Sequence, residues 1–304
     1  MQYLAPIALF VYNRPEHTRR TISFLKDNLL AEESRLFIFS DAAASEQEIE
    51  AVENTRSLIH NIGGFKSIHV IEQKEHLGLA NSIINGVTQL VKEYKKVVVF
   101  EDDLLSSPYT LQYFNEALNR YEKEEKVMQI GAYMFPIEHK GLPQTFFSRT
   151  SSSWGWATWD RAWAYFEQDV ERLYARFDKL GIQKFSYNGS MNYWKQLLDF
   201  RQGKNDSWAI RWNASIFLNQ GLVLYPAQSL IDNIGHDGTG VHSIIEDTYK
   251  VKIAKGQITQ YPQELKEDPD AVKALMNFFK HRKGSWAKRG RKFIRNVWYR
   301  YFKK

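Results

Sequence analysis

Short unbroken apolar runs alternate with amphipathic segments through the first third of the chain. Residues 6–12 (PIALFVY), 36–39, 67–71, 97–100 and 127–131 are rich in β-branched and aromatic side chains and predict five strands. Between them, residues 16–28, 45–60, 77–94 and 107–125 carry apolar positions at helical spacing. In 77–94 that face is Leu79, Ile83, Val87, Leu90 and Val91. Pro15 stands in a first turn, where a helix accepts proline. Ser45-Glu46-Gln47-Glu48 has the form of a capping box opening the second helix. The run 97–100 (VVVF) has no polar alternation, as expected of a strand covered on both faces. Strand and helix in strict alternation predict an α/β fold, a doubly wound and mostly parallel sheet flanked by helices.

The pattern changes in the middle of the chain. Residues 146–163 (FFSRTSSSWGWATWDRAW) place four Trp among small and polar residues and follow neither the strand nor the helix period. Residues 191–202 and 207–219 read as helices, 222–225 as a strand, and 234–242 (IGHDGTGVH) as a glycine-rich loop.

Composition sharpens the picture in three ways. The chain has 304 residues, 43% apolar and 25% charged, which is ordinary globular composition. There is no Cys, so disulfides and thiolate zinc sites are excluded. The net charge of +6 is unevenly spread: residues 271–304 hold twelve Lys or Arg and no Asp or Glu, leaving a body of net −6. The chain therefore divides into a body, 1–270, and a basic aromatic tail, 271–304. No basic n-region precedes the short apolar run near the N-terminus, and no run approaches the ~18 residues of a membrane span. A cytoplasmic protein is the expectation.

In open α/β sheets, ligands bind beyond the carboxyl ends of the strands. The residues standing there are Tyr12, Asn13 and Arg14, then Asp41, then Glu101, Asp102 and Asp103. Neither the dinucleotide fingerprint nor the P-loop occurs, so a bound diphosphate needs another counter-charge. Three consecutive carboxylates after a buried strand repel one another and lose hydration. A hard divalent cation, Mn2+ or Mg2+, is the simplest compensation, because it combines one or two carboxylates with substrate phosphates. The other reading is a solvated acidic turn at a helix N-terminus.

The segment 97–114 (VVVFEDDLLSSPYTLQYF) resembles the carboxylate motif of GT-A glycosyltransferases, in particular the N-acetylglucosaminyltransferase I type and bacterial family 2-like enzymes. The resemblance extends more loosely over residues 6–242. It implies a GT-A fold with a nucleotide-binding half, 1–131, and an acceptor-binding half, 132–270. It further implies a nucleotide-sugar donor, most often UDP-linked, and a glycan or lipid-linked saccharide acceptor of the kind used in bacterial surface polysaccharide synthesis. Asp103 is then the metal ligand, Asp102 faces the ribose and Glu101 the donor sugar. Tyr12, Asn13 and Arg14 form the first nucleotide loop, Asp41 accepts from the base, and His76 contacts the base. His242, in the glycine-rich loop that also holds His236, completes the metal shell. Each has an ordinary alternative: a surface Arg, a turn Asp, a first-turn His, an exposed loop His.

An inverting transfer requires a carboxylate within reach of the acceptor hydroxyl. Asp206, directly before a predicted helix, is the candidate, with N-cap as its other role; Asp160 is the second. Trp154, Gly155 and Trp156 offer flat faces and a close backbone approach for a sugar, or they fill the core. Two further function classes stay open. A nucleotidyltransferase usually carries a Gly-rich, Lys-bearing loop after its first strand, which Tyr12-Asn13-Arg14-Pro15 is not. A non-catalytic carbohydrate-binding or membrane-associated protein needs no Asp103.

Residues 280–304 (KHRKGSWAKRGRKFIRNVWYRYFKK) interleave eleven Lys or Arg with aromatics, and Phe293, Val297 and Tyr301 share a helical face with Ile294 and Trp298. That pattern predicts a basic amphipathic helix on an anionic membrane surface, peripheral at the inner face. A solvated tail is the plain alternative, and nucleic acid the least expected partner.

Overall fold

The protein is represented by a computed structural model that describes residues 3–237 and 247–282. In chain order the elements are β1 (Ile7–Val11), α1 (Pro15–Lys26), β2 (Arg35–Ser40), α2 (Ile49–Ile59), β3 (Ser67–Glu72), α3 (Gly78–Tyr94), β4 (Lys96–Glu101), β5 (Leu104–Ser106) and α4 (Thr110–Arg120). There follow β6 (Val127–Gly131), β7 (Thr145–Ser148), β8 (Trp156–Trp159), α5 (Asp160–Trp163), α6 (Val170–Ala175), α7 (Lys179–Phe185), α8 (Tyr193–Arg201) and α9 (Trp208–Leu218). The last are β9 (Leu222–Pro226), β10 (Ile231–Asn233) and α10 (Pro269–His281).

The fold is α/β, an eight-stranded mixed sheet flanked by helices, in the order β3-β2-β1-β4-β8-β6-β9-β7. Its first four strands are parallel, as the alternation predicted. Beyond them β6 and β9 run parallel to each other and in the same direction as those four, so six of the eight strands keep the predicted mostly parallel arrangement. β8 inserts antiparallel between β4 and β6, and β7 closes the edge antiparallel to β9. All four residues of β8 and all four of β7 are buried, which removes the alternation that would have marked them as strands.

From β1 the chain winds outward through β2 to β3, then returns to place β4 on the other side of β1. The topological switch therefore lies between β1 and β4, and the crevice above it is where such sheets bind ligands. Directly above β4 a two-stranded ribbon forms, with Asn233 of β10 opposite Leu104 of β5.

The apolar face of α3 is buried at Ile83, Val87, Leu90 and Val91, but Leu79 is about half exposed because it lies in the first turn, on the outer side. An aromatic cluster packs under the mixed half of the sheet. Trp156 stacks on Trp208 at 5.2 Å, and Trp163 and Trp212 meet at 5.0 Å. The expected boundary between body and tail falls inside α10. Its Ala271, Leu275 and Phe279 are buried, with Phe279 against Phe135 and Tyr187, so the body continues to the end of this helix. The tail positions Phe293, Ile294, Val297, Trp298 and Tyr301 lie outside the described residues. Among the described residues no helix is long and apolar enough to cross a membrane.

Candidate active site

β1, β2 and β4 end at one level, and their last residues deliver three groups of polar side chains to the switch crevice. β1 delivers Tyr12, Asn13 and Arg14; β2 delivers Asp41; β4 delivers Glu101, Asp102 and Asp103. The register is tight, with Phe10 opposite both Phe39 and Glu101.

The carboxylate turn is anchored from α1. Buried Thr21 donates its hydroxyl to the Asp102 carbonyl at 2.8 Å and accepts the Leu104 N–H at 3.1 Å. Burial, then the charges of Asp103 and Asp102, hold the Glu101 carboxyl well above its ordinary range. Burial, then Asp103, push Asp102 up to about 7, although Arg14 and the Tyr12 backbone N–H favour its ionised form. Asp103 is raised by burial and drawn back by Arg14, His17 and His236. Three desolvated carboxylates thus share one guanidinium. Arg14 Nη1 lies 3.0 Å from Asp103 and 3.7 Å from Asp102, and its Nη2 lies 3.7 Å from Asp237.

The β5–β10 ribbon completes the site. Ile234 N–H donates to the Asp103 carbonyl at 2.9 Å, and Asn233 Nδ2 donates to Asp103 Oδ1 at 3.3 Å. A Cβ on Gly235 would overlap Asp103 Oδ2. His17 Nε2 meets Asp237 at 3.1 Å. Sequence reasoning missed His17, Asn233, Gly235 and Asp237. The only signal was the glycine-rich loop, which begins here and carries His236 to within 5.1 Å of the Trp154 ring. His242 lies outside the described residues.

The nucleotide-side residues converge, but with altered roles. Asp41 was expected to read a base. Instead its two oxygens accept from the N–H groups of Ala42, Leu77 and Gly78, all at 2.9 Å, and lie 3.0 Å from His76 Nδ1. Asp41 is the cap of α3 and the tether of His76. The capping box is also not formed. Residues Glu46–Glu48 make a 3-10 turn, and Glu48 reaches Tyr12 and Asn13 instead.

The predicted sugar wall divides. Trp154 is partly exposed among Tyr133, His236 and Tyr249. Trp156 is fully buried in the Trp cluster, so it lines no site. Gly155 adopts a left-handed φ of +68°, and the atom pressed against it is Ile231 Cδ1, the protein's own side chain and not a ligand.

Asp206 is exposed, and the cap of α9 is its neighbour Ser207, whose hydroxyl accepts from Ile210 N at 3.3 Å. Trp208 stacks on Trp156, which pairs with Val99 near the carboxyl end of β4, so α9 opens at the site end of the sheet. No described hydrogen bond or ion pair joins Asp206 to the carboxylates. Asp160 is at the wrong end: it pairs with Lys95 at 3.0 Å, beside the first residue of β4. That is about five residues of strand, or roughly 17 Å, from Glu101.

Among the described residues no three His, Asp or Glu side chains form a ready metal cage. The donor set still fits a hard divalent ion of the kind that takes one or two carboxylates and leaves its other positions to phosphates. The raised carboxyls of Asp102 and Asp103 signal the charge deficit such an ion would offset.

No family model matches the chain, and no curated protein matches it in sequence. Solved structures to which it is similar include the mannosyltransferase PcManGT from Pyrobaculum calidifontis in complex with GDP-Man and Mn2+, at 10% identity and TM-score 0.40 over 72% of this chain and 70% of that one. Residues 1–349 of S. aureus TarS are 11% identical at TM-score 0.43, over 74% of this chain and 59% of that one. UDP-glucose pyrophosphorylase complexed with UDP-glucose is 10% identical at TM-score 0.35, over 73% and 90%. A mannosyltransferase and a pyrophosphorylase run different reactions, so the functional reading rests on the site's own geometry.

Proposed function

We propose that the protein is a nucleotide-sugar-dependent glycosyltransferase of the GT-A type, working with inversion and with a divalent ion. The observation that carries this reading is the set of three desolvated carboxylates, with Arg14 ion-paired to two of them, at the switch crevice of the sheet. Tyr12, Asn13 and His76 hold the nucleobase, UDP being the first choice of donor. Arg14 offers a planar fork to the diphosphate. Asp103, with Asp102, would hold Mn2+ or Mg2+, which when bound neutralises the diphosphate oxygens of donor and leaving group. Trp154 and Tyr249, both partly exposed, form an aromatic wall for a sugar face, with buried Tyr133 behind them.

The acceptor, a glycan or lipid-linked saccharide, brings one hydroxyl to the anomeric carbon. Asp206 takes its proton as the new C–O bond forms. The bond from that carbon to the phosphate oxygen breaks, and its electron pair leaves with the nucleoside diphosphate. Residues 283–304, nine of them Lys or Arg, hold the protein on an anionic membrane surface where a lipid-linked acceptor resides.

Calorimetry of UDP with and without Mn2+ tests the site. Asp103→Asn is expected to lose the metal-dependent part of binding. Asp206→Asn should keep UDP affinity and lose about 10²–10⁴ in turnover, the range of a lost general base. Undiminished metal-dependent binding in Asp103→Asn overturns the metal assignment. Equal loss of binding and turnover in Asp206→Asn makes that residue structural.

A further inference from the structure

We propose that Glu48 is a positioning residue for the nucleobase, and that the edge it helps to present accepts an N–H from an imide base. This rests on the nucleotide-sugar reading above and makes it more specific. Glu48 stands outside the carboxylate cluster, in the turn before α2. Its Oε2 accepts from the Tyr12 hydroxyl at 2.7 Å, and its Oε1 from Asn13 Nδ2 at 2.8 Å. Ala44 N–H donates to the same Tyr12 oxygen at 2.9 Å. The hydroxyl is thereby occupied as donor and as acceptor, and what Tyr12 offers to a ligand is its ring. That ring lies against His76 at 5.2 Å, tilted by 45°.

His76 is held from one side by its neighbours. Nδ1 lies 2.8 Å from the Ala42 carbonyl and 3.0 Å from Asp41 Oδ2, and both can only accept. Nδ1 therefore donates to them, which fixes the ring beside Tyr12. Nε2 has no partner among the described residues, and the side chain is 36% exposed. Asn13 is settled in the same way. A carboxylate selects its NH2 end, which leaves Oδ1 on the other arm of the amide without a described partner.

One acceptor, Asn13 Oδ1, is thus presented next to the Tyr12 ring by the hold of Glu48 on both side chains. Uracil N3 and guanine N1 carry a hydrogen at the matching ring position. Cytosine N3 and adenine N1 carry a lone pair there, and acceptor would face acceptor with both groups desolvated. Sites built around such a hydrogen bond reject the analogue that lacks it.

Equilibrium binding of UDP, GDP, CDP and ADP to the full chain in Mn2+ tests this, with pyrophosphate as a probe that has no base. Wild type is expected to bind UDP or GDP at least about tenfold more tightly than CDP and ADP, a difference of about 1.4 kcal/mol. Which of the two binds names the base. Glu48→Ala should lose about tenfold for that nucleotide and most of the selectivity, with pyrophosphate unchanged; Glu48→Gln, which keeps one acceptor, should fall between. Asn13→Ala removes Oδ1 and leaves Glu48 on Tyr12. It should compress the selectivity even where Glu48→Ala fails to fold. Unchanged affinity and selectivity in Glu48→Ala, or in Asn13→Ala, overturns the inference, and so does a wild-type preference for CDP or ADP. Wild type that binds none of the four nucleotides overturns instead the reading on which it rests.

Discussion

At the scale of single residues, the site is governed by close approach and by charge that has little water to stabilise it. Gly235 shows this most directly. It has no functional group, yet a Cβ there would overlap Asp103 Oδ2 and come within 3.2 Å of Arg14 Nη1. Gly235→Ala is therefore expected to push the Asp103 carboxylate off its partner. Mn2+-dependent UDP binding should weaken by about tenfold or more, and the melting temperature should fall as well, since the displaced pair is mostly buried. Calorimetry and melting on the same variant separate the two effects. Asp103 itself was legible in the chain, since three carboxylates after an unbroken apolar strand require compensation wherever the strand lies. The role of Glu48 was not. Ser45 and Glu48 at i and i+3 satisfy a local pattern, and only the fold reveals that Tyr12 and Asn13 compete for the same carboxylate and win.

At the scale of elements, β8 decides the second half of the molecule. It carries Trp156 and Trp159 into the middle of the sheet, between β4 and β6. Trp159 donates its indole N–H to the Leu118 carbonyl at 3.1 Å, and Trp156 holds the first turn of α9 through Trp208. This explains why a cluster that looks like a sugar platform is mostly core. Trp156→Ala should cost about 3–5 kcal/mol in chemical denaturation, the range for deleting a fully buried large aromatic. Trp154→Ala, at a partly exposed ring, should cost much less and show its effect in acceptor affinity. A stability loss at Trp154 equal to that at Trp156 would mean that both are core. The parallel half of the sheet was legible because helices interrupt its strands at regular intervals. β7, β8 and the β5–β10 ribbon were not, because each is only three or four residues long, too short to show a period.

At the scale of the whole molecule, charge is separated along the chain. The body is net acidic, and the buried carboxylates Glu101, Asp102 and Asp103 gather at one end of the sheet. Nine of the basic residues lie at 283–304, beyond α10. At about 1 kcal/mol per basic residue near an anionic surface, reversing four of them should weaken vesicle binding by a hundredfold or more. The quadruple variant Lys288→Glu, Arg289→Glu, Arg291→Glu and Lys292→Glu should lose co-sedimentation with phosphatidylserine vesicles. Neutral phosphatidylcholine vesicles should bind neither protein, and the affinity for UDP with Mn2+ should be unchanged. Equal vesicle binding by wild type and variant would refute a membrane role for this segment.

The sequence by itself determined the α/β class, the parallel half of the sheet, the strand-end position of the carboxylates and the basicity of the last residues. These follow from periodicity and from charge, which are properties of neighbours along the chain. The tertiary structure alone decided that β8 runs antiparallel through the centre, that Trp156 is core and Trp154 is not, and that Asp41 caps a helix. It also decided that Asp160 lies at the far end of the sheet, and that Glu48, His17 and Gly235 belong to the site. Each of those depends on which groups meet after the chain has crossed from one strand to a distant one. A side chain's partner there is set by packing and desolvation, and neither can be read from the residues beside it.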